Sequence, residues 1–405
     1  MKSNRRDFIR VSGLTGLSMT GLVLTGINGL STMTNPLAGS HGQSALPASS
    51  PTPGPTGPPR PSGSPGPSGA PSVTGSLGPP EYTGATGGAS SVQTPGQLHA
   101  QIPYPDRFNM CGYAAPRLET VRIGFIGLGN RGPAAVERMT HIEGVAINAL
   151  CDLRPEKTEA VRKKLEGGPH HPVVYTGGEE EWKKLCERPD IDLVYIATPW
   201  SLHTPMALYA MNQGKHVCVE VPAAKTIDEC WQLVETSEQT RRHCMMLENC
   251  CYDFFELLTL NLARAGFFGE IIHGEGAYNH NLLEGNFSKT KYYDCWRLKE
   301  NFRNGNLYPT HGLGPVAQVM DINRGDKMDF LVSLSGRDFM MGAMEKELAA
   351  KDDFYKPYAG RSFGGNVNTS LIRSSQGRTI LIQHDETSPT SIRVSTASVA
   401  PKAPH

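Results

Sequence analysis

The segment from Val121 to Asp152 constrains the fold more than any other part of the chain. Val121-Arg122-Ile123-Gly124-Phe125-Ile126-Gly127 is a short apolar run of the kind that forms a buried strand. It passes directly into Gly127-Leu128-Gly129-Asn130-Arg131-Gly132, a G-x-G-x-x-G pattern. A helical pattern follows over Pro133–Ile142, then a second strand over Val145–Leu150 that leads to Asp152. Strand, glycine turn, helix, strand and acid in this order predict a dinucleotide-binding βαβ unit. Gly127 permits the tight turn, Gly129 lets the backbone approach a pyrophosphate, and Gly132 lets helix and strand pack closely. The pyrophosphate is expected on the helix N-terminus, where unpaired N–H groups and the helix dipole favour negative charge. Asp152 is expected to accept hydrogen bonds from the adenosine ribose hydroxyls. A carboxylate there repels a 2′-phosphate, which favours NAD over NADP, and the nearby Arg154 softens that preference.

The alternation continues through Asn249. Helical patterns over Pro155–Glu166, Glu179–Cys186, the segment through Met211, and Thr226–Thr240 alternate with apolar strand runs over Val173–Thr176, Asp192–Thr198, Lys215–Val221 and Cys244–Glu248. This predicts an α/β fold with a doubly wound parallel sheet. Ligands of such sheets collect beyond the carboxyl ends of the strands. The residues there are Asn130, Asp152, Trp200, His203, Glu220 and Asn249.

Outside this region the composition changes. The 405 residues carry 39 Lys+Arg and 39 Asp+Glu, a balance with no electrostatic footprint for nucleic acid or an acidic membrane. Asn4-Arg5-Arg6-Asp7-Phe8-Ile9-Arg10, followed by an uncharged and mildly apolar run from Val11 to Leu30, reads as a twin-arginine-type export signal over residues 1–35. That route carries folded proteins, so a cofactor can be bound before export to the periplasm or the extracellular space, and contact with the membrane is through the signal alone. Residues 36–102 form a Gly/Pro-rich tract without helical or strand periodicity, which is expected to stay disordered. Many of its glycines share a three-residue phase, but Arg60, Ser72 and Glu81 interrupt the register that a collagen triple helix needs. Nine cysteines, an odd number at irregular spacing, argue against a disulfide framework. His170-His171 and Cys250-Cys251 have no partners at ligand spacing, and neighbours on a strand point to opposite faces, so no metal site is expected.

The glycine fingerprint, Thr198-Pro199 with His203, and Glu220-Val221-Pro222 resemble the glucose–fructose oxidoreductase/inositol dehydrogenase (Gfo/Idh/MocA) family. The resemblance implies a Rossmann domain, here 103–249, joined to a C-terminal α+β domain with an open mixed sheet, here 250–389. Typical members have lysine at position 221, where it assists proton movement at a sugar hydroxyl. Val221 cannot do that. Gly129-Asn130-Arg131-Gly132, Glu220-Val221-Pro222, Gly276-Ala277-Tyr278-Asn279-His280, Trp296-Arg297 and Asn306 to Pro315 together resemble glycoside hydrolase family 109, the NAD-dependent α-N-acetylgalactosaminidases. That family continues past Pro389 to a substrate-contacting tyrosine and further sheet. Here residues 390–405 read as a polar tail, so the second domain reads as truncated.

The resemblance implies that Asn130, Arg131, Asp152, Trp200, Ser201, Leu202, His203, Glu220, Val221 and Asn249 hold NAD, alongside Gly127, Gly129 and Gly132. Tyr278, Arg297, Tyr308, Pro309, Thr310 and His311 would line the site for terminal N-acetylgalactosamine of a glycan. Most glycosidases use two carboxylates, and NAD-dependent ones are exceptions. Their route oxidises the sugar at carbon 3, which acidifies the hydrogen on carbon 2. The anomeric substituent leaves by elimination, water adds back, and the ketone is reduced again. His311 is the expected general base, because an imidazole suits proton transfer near neutral pH. Tyr308 would relay the proton, Tyr278 is a second candidate, and Arg297 would bind sugar oxygens or a developing enolate. On residue chemistry alone, His311 also reads as a packed turn residue, Trp200 as a core or helix-start anchor, and Tyr278 as a strand residue with its hydroxyl at the surface. A sugar oxidoreductase with tightly held NAD(P), and a catalytically dead truncated binding relic, are the alternative readings. A homodimer through the open sheet is compatible with all three.

Overall fold

A computed structural model describes residues 108–388 and 393–396. The export signal and the Gly/Pro-rich tract lie outside the described residues. Among the described residues, no helix is long and apolar enough to cross a membrane.

The first half forms a parallel sheet of six strands: β1 (Val121–Ile126), β2 (Val145–Asp152), β3 (Val173–Thr176), β4 (Leu193–Ile196), β5 (His216–Val219) and β6 (Cys244–Met246), in the order β3-β2-β1-β4-β5-β6. That order is the doubly wound one, and its switch point lies between β1 and β4. The connecting helices are α1 (Gly132–Met139), α2 (Pro155–Leu165), α3 (Glu181–Cys186), α4 (Trp200–Asn212) and α5 (Ile227–Thr240). Parallel strands buried on both faces need apolar residues at every position, and β1 shows how both faces are filled. Ile123 and Phe125 pack with Leu128, Val136, Ile147 and Val161 on one face. Ile126 packs with Val194, Ile196, Ala207 and Met211 on the other. On that second face Gly124 leaves room for Leu185, whose Cδ2 would stand 2.6 Å from a Cβ at position 124. Thr226 caps α5 in a reciprocal capping box with Glu229, a device that stabilises a helix start by about 1 kcal/mol. The expected elements are all present, several with shorter ends, while β2 runs past Leu150 to Asp152. The helix expected to reach Ile142 stops at Met139, and β6 ends at Met246, which leaves Glu248 beyond the strand.

The second half contains a five-stranded sheet of order β11-β7-β10-β9-β8, made of β7 (His273–Asn279), β8 (Met328–Ser335), β9 (Val367–Ser374), β10 (Thr379–Asp385) and β11 (Arg393–Thr396). β10 and β7 are parallel and the other pairs antiparallel, so the sheet is mixed. β11 falls within the segment read as a polar tail, where it adds an edge strand to β7. The helices are α6 (Phe254–Arg264), α7 (Leu283–Asn286), α8 (Trp296–Glu300), α9 (Thr310–Val319) and α10 (Met341–Ala349). Strands β9 and β10 alternate buried and exposed residues, the pattern of a sheet covered on one face. The cover comes from α9, whose Val316, followed by Met320, packs on Ile372, Ile380 and Ile382. Two glycines set its height over the sheet. A Cβ on Gly276 of β7 would lie 2.2 Å from the Gly312 carbonyl oxygen, and a Cβ on Gly312 would lie 2.6 Å from the Ala277 nitrogen. Strand backbone and helix backbone therefore touch, which carries the flanking residues Tyr278 and His311 to the same place.

Candidate active site

The glycine turn has the geometry that its pattern predicts. Gly127 has φ +93°, a left-handed value that side chains disfavour, and a Cβ there would lie 2.6 Å from the Ala197 carbonyl. A Cβ on Gly132 would stand 2.0 Å from the Gly127 carbonyl oxygen, so α1 can start against the turn only without one. Over Gly129 the space is open: the nearest atom to a Cβ there is Arg154 Nη2 at 3.6 Å. No side chain caps α1, which begins after the exposed Arg131. A bare helix start beneath an uncovered glycine backbone fits a pyrophosphate. Asp152 is buried at the end of β2. It accepts hydrogen bonds from Leu128 N at 2.7 Å and from Arg154 N at 3.0 Å and Nε at 3.3 Å. The acid therefore braces the turn from below, and of a carboxylate's roughly four acceptor positions only about one is left for a ribose hydroxyl. Arg154 lies with its guanidinium 4.8 Å from the Tyr293 ring centroid. Asn130 is exposed and donates to the Lys291 carbonyl at 2.8 Å, which ties the glycine loop to the second half.

Beyond β4 and β5 an aromatic wall begins. Trp200 is buried at the first position of α4 and stacks on Tyr308, with centroids 5.1 Å apart and planes 9° from parallel. Tyr308 donates from its hydroxyl to the Val221 carbonyl at 3.1 Å. Tyr278 meets Tyr308 edge to face at 4.8 Å and lies 5.3 Å from the His311 ring. Burial pushes the Tyr278 phenol up to about 12, against the pull of Arg297, so it stays protonated through the neutral range. The Tyr308 hydroxyl is raised further for the same reason. Arg297 is buried under this wall, 4.9 Å from the Trp200 centroid and 5.4 Å from that of Tyr308. Its Nη2 pairs with Glu386 Oε1, and its Nε reaches Glu386 Oε2 at 3.4 Å.

His311 lies in the first turn of α9, next to the helix start at Pro309, which supplies the fixed φ such a start needs. Its Nδ1 is 2.6 Å from Glu248 Oε1, and both residues are buried. Facing a carboxylate, Nδ1 donates the hydrogen bond, and in the neutral form of the ring the lone pair lies on Nε2. A base with one nitrogen held and the other open is the arrangement that general acid–base catalysis needs.

Two stretches of the chain match known families in succession. Residues 121–248 match the oxidoreductase family with an NAD-binding Rossmann fold, and residues 252–398 match the C-terminal domain of glycosyl hydrolase 109. An α-N-acetylgalactosaminidase of Bacteroides fragilis is 49% identical over 291 residues, covering 70% of this chain and 68% of the relative. The chain belongs to glycosyl hydrolase family 109. A family 109 protein 1 of the same species is 50% identical over 285 residues, which are 69% of this chain and 59% of that protein. This family 109 chain thus spans about three fifths of the length of that relative. Its fold is shared with scyllo-inositol dehydrogenase from Lactobacillus casei, solved with NAD(H) and scyllo-inositol, at a TM-score of 0.51, 16% identity, and coverage of 69% of this chain and 75% of that one.

Other residues of the expected site in this family 109 protein are engaged by the protein's own groups or lie exposed. His203 is buried with Nδ1 2.7 Å from the Pro222 carbonyl and Nε2 2.8 Å from the Thr198 carbonyl. Both nitrogens are thus engaged with backbone, and the ring links the end of β4 to the cis Val221-Pro222 bond. Its neighbours Ser201 and Leu202 are exposed at the start of α4. Glu220 accepts from the Tyr195 hydroxyl at 2.8 Å. Asn249 is exposed and opens a 3₁₀ helix over Asn249–Tyr252. Thr310 lines a groove of about 340 Å³ with Glu248, Leu313 and Gln318. Tyr278 is buried, not a surface strand residue. Sequence reasoning missed Glu248 and Glu386, the two carboxylates that hold His311 and Arg297. Glu248 closes the apolar run Cys244–Glu248, where an acid at a strand end was the signal, and Glu386 follows the mixed strand β10, which gives no such signal.

Proposed function

We propose that this chain is an exported, NAD-dependent glycosidase that removes terminal α-N-acetylgalactosamine from glycans. The observation that carries the reading is the buried Glu248–His311 pair beside the wall of Trp200, Tyr278 and Tyr308, in the same fold as an NAD-type glycine turn. Bound over Gly129 and α1, NAD would supply a reversible two-electron acceptor for the sugar. The chain's own residues do the rest. His311 takes and returns a proton at Nε2 while Glu248 holds Nδ1. Tyr308 and Tyr278, kept protonated by burial, donate hydrogen bonds or relay that proton. Arg297, fixed by Glu386, turns its remaining N–H groups to oxygen that gains negative charge. The aromatic wall offers an apolar surface to the face of a sugar ring and excludes water. Membership of family 109 and the name of the Bacteroides fragilis relative support the substrate. The Asn4-Arg5-Arg6 signal supports export with the cofactor already in place.

Val221, buried where a sugar dehydrogenase of the related family has lysine, counts against a net oxidoreductase. The test is turnover of a nitrophenyl α-N-acetylgalactosaminide by the full chain with and without added NAD. Nitrophenol release without net NADH is expected. NADH accumulating with free sugar, and no nitrophenol, would establish the oxidoreductase reading instead.

A further inference from the structure

Cys250 was expected to have no partners at ligand spacing. The fold gives it two. The 3₁₀ turn at Asn249–Tyr252 brings Cys250 back beneath Glu248, whose Oε1 accepts from the Cys250 backbone N–H at 3.0 Å. One ligand atom from each of Glu248, Cys250 and His311 lies within 4.8 Å of the others, and all three residues are buried. Glu248 Oε2 is also buried, and among the described residues no hydrogen-bond partner reaches it. Thiol, imidazole and carboxylate with an unsatisfied oxygen are the donor set of a thiophilic divalent cation, and a hard cation such as magnesium prefers oxygen alone.

We propose that Glu248, Cys250 and His311 form an inhibitory binding site for a thiophilic divalent cation, zinc above all, and that filling it disarms His311. Tetrahedral zinc holds its ligands at about 2.0–2.3 Å, which leaves neighbouring ligand atoms roughly 3–4 Å apart. The 2.6 Å contact between His311 and Glu248 has to open slightly and the thiol has to close in, movements that side-chain rotation provides. The balance is simple. The Cys250 thiol gives up one proton to solvent. The imidazole proton moves from Nδ1, which binds the ion, to Nε2. No electrons are transferred. Nε2 is then an N–H donor and can no longer accept a proton, so the ion blocks the base without touching the sugar pocket. Its inhibitory half rests on the reading of His311 as the general base, and its binding half does not.

Cobalt(II) is the probe for binding. The full chain, saturated with NAD, is titrated with Co²⁺ while the thiolate-to-cobalt charge-transfer band and the visible bands of a tetrahedral ion are followed. Both are expected in the wild type and lost in Cys250→Ser and Cys250→Ala. Zinc is expected to abolish the cobalt bands stoichiometrically and to lower glycosidase turnover about tenfold or more, reversibly with a chelator, and magnesium to do neither. Cys250→Ala is expected to keep its turnover and to need at least about tenfold more zinc for the same inhibition. Cobalt spectra without a charge-transfer band, or identical in wild type and Cys250→Ala, would overturn the site. Equal zinc inhibition of both proteins would overturn its inhibitory role. A chain with no glycosidase activity would defeat the proposed function, and the cobalt titration would still decide the site.

Discussion

His311→Ala is expected to lower kcat by about 10²–10⁴-fold, the usual contribution of a positioned acid–base group, and to leave NAD binding intact. The separation of the two effects follows from the fold. The ring stands on α9 and packs against Tyr278 and Tyr308, while the glycine turn between β1 and α1 is built from Gly127, Gly132 and Asp152. The variant also leaves the Glu248 carboxylate without its strongest partner. Some stability is lost with it, so NAD retention serves as the check that the protein is still folded. Steady-state turnover of the chromogenic galactosaminide and equilibrium NAD binding are the two measurements. Turnover within about tenfold of wild type, with NAD bound, would remove His311 from the chemistry.

The second large effect is expected at Glu386. Breaking one side of a buried ion pair strands the other charge, at a cost of about 3–5 kcal/mol. Arg297 and Glu386 are both almost fully buried, with side-chain exposures of 7% and 2%. Burial alone would push the Glu386 carboxyl up, but the Arg297 charge and nearby His384 hold it well below the usual carboxylate range. Burial also disfavours the Arg297 cation, and the Glu386 charge more than compensates. Glu386→Gln is therefore expected to lower Tm at neutral pH by on the order of 10 °C. The sign of the pH dependence follows. A carboxylate whose pKa is depressed on folding contributes its full stability above its unfolded pKa of about 4.3 and loses it as the pH falls toward the folded value. Wild type should show an acid limb below about pH 4–5 that is weaker in Glu386→Gln. Removing both charges, as in Arg297→Met with Glu386→Gln, should recover part of the loss. Calorimetry between pH 3 and 7 checks this, and an unchanged Tm in Glu386→Gln would refute the pairing as a structural support.

These two residues also mark the limit of what was legible beforehand. The doubly wound sheet could be read because its signals are local. A continuous apolar run makes a strand buried on both faces, and the glycine turn is short-range too: Gly127 holds a left-handed φ and Gly132 packs on the Gly127 carbonyl just before it. The resemblance to glycoside hydrolase family 109, not local pattern, pointed to His311, Tyr308, Tyr278 and Arg297, which the fold draws into one cluster. It could not find their partners, since Glu248 reaches His311 across 63 positions and Glu386 reaches Arg297 across 89. The Glu248–His311 pairing depends on where α9 sits over β7, a height set by the Gly276–Gly312 contact, and no periodicity encodes it. His203 makes contacts that its place beyond a strand end did not announce: the side chain folds back onto two backbone carbonyls. The cysteine pair misled for a related reason: on a strand, Cys250 and Cys251 would point apart, and a 3₁₀ turn instead directs Cys250 at two other donors.

On the proposed mechanism the glycosidic bond breaks after a proton has been taken from carbon 2 of the sugar, with NAD bound and nothing lost in net redox. Turnover in deuterium oxide reads this directly. The N-acetylgalactosamine released should carry deuterium on carbon 2, and its NMR signal there should disappear in step with the number of bonds cleaved. Product with full protium at carbon 2, formed at an undiminished rate by protein stripped of NAD, would contradict the account.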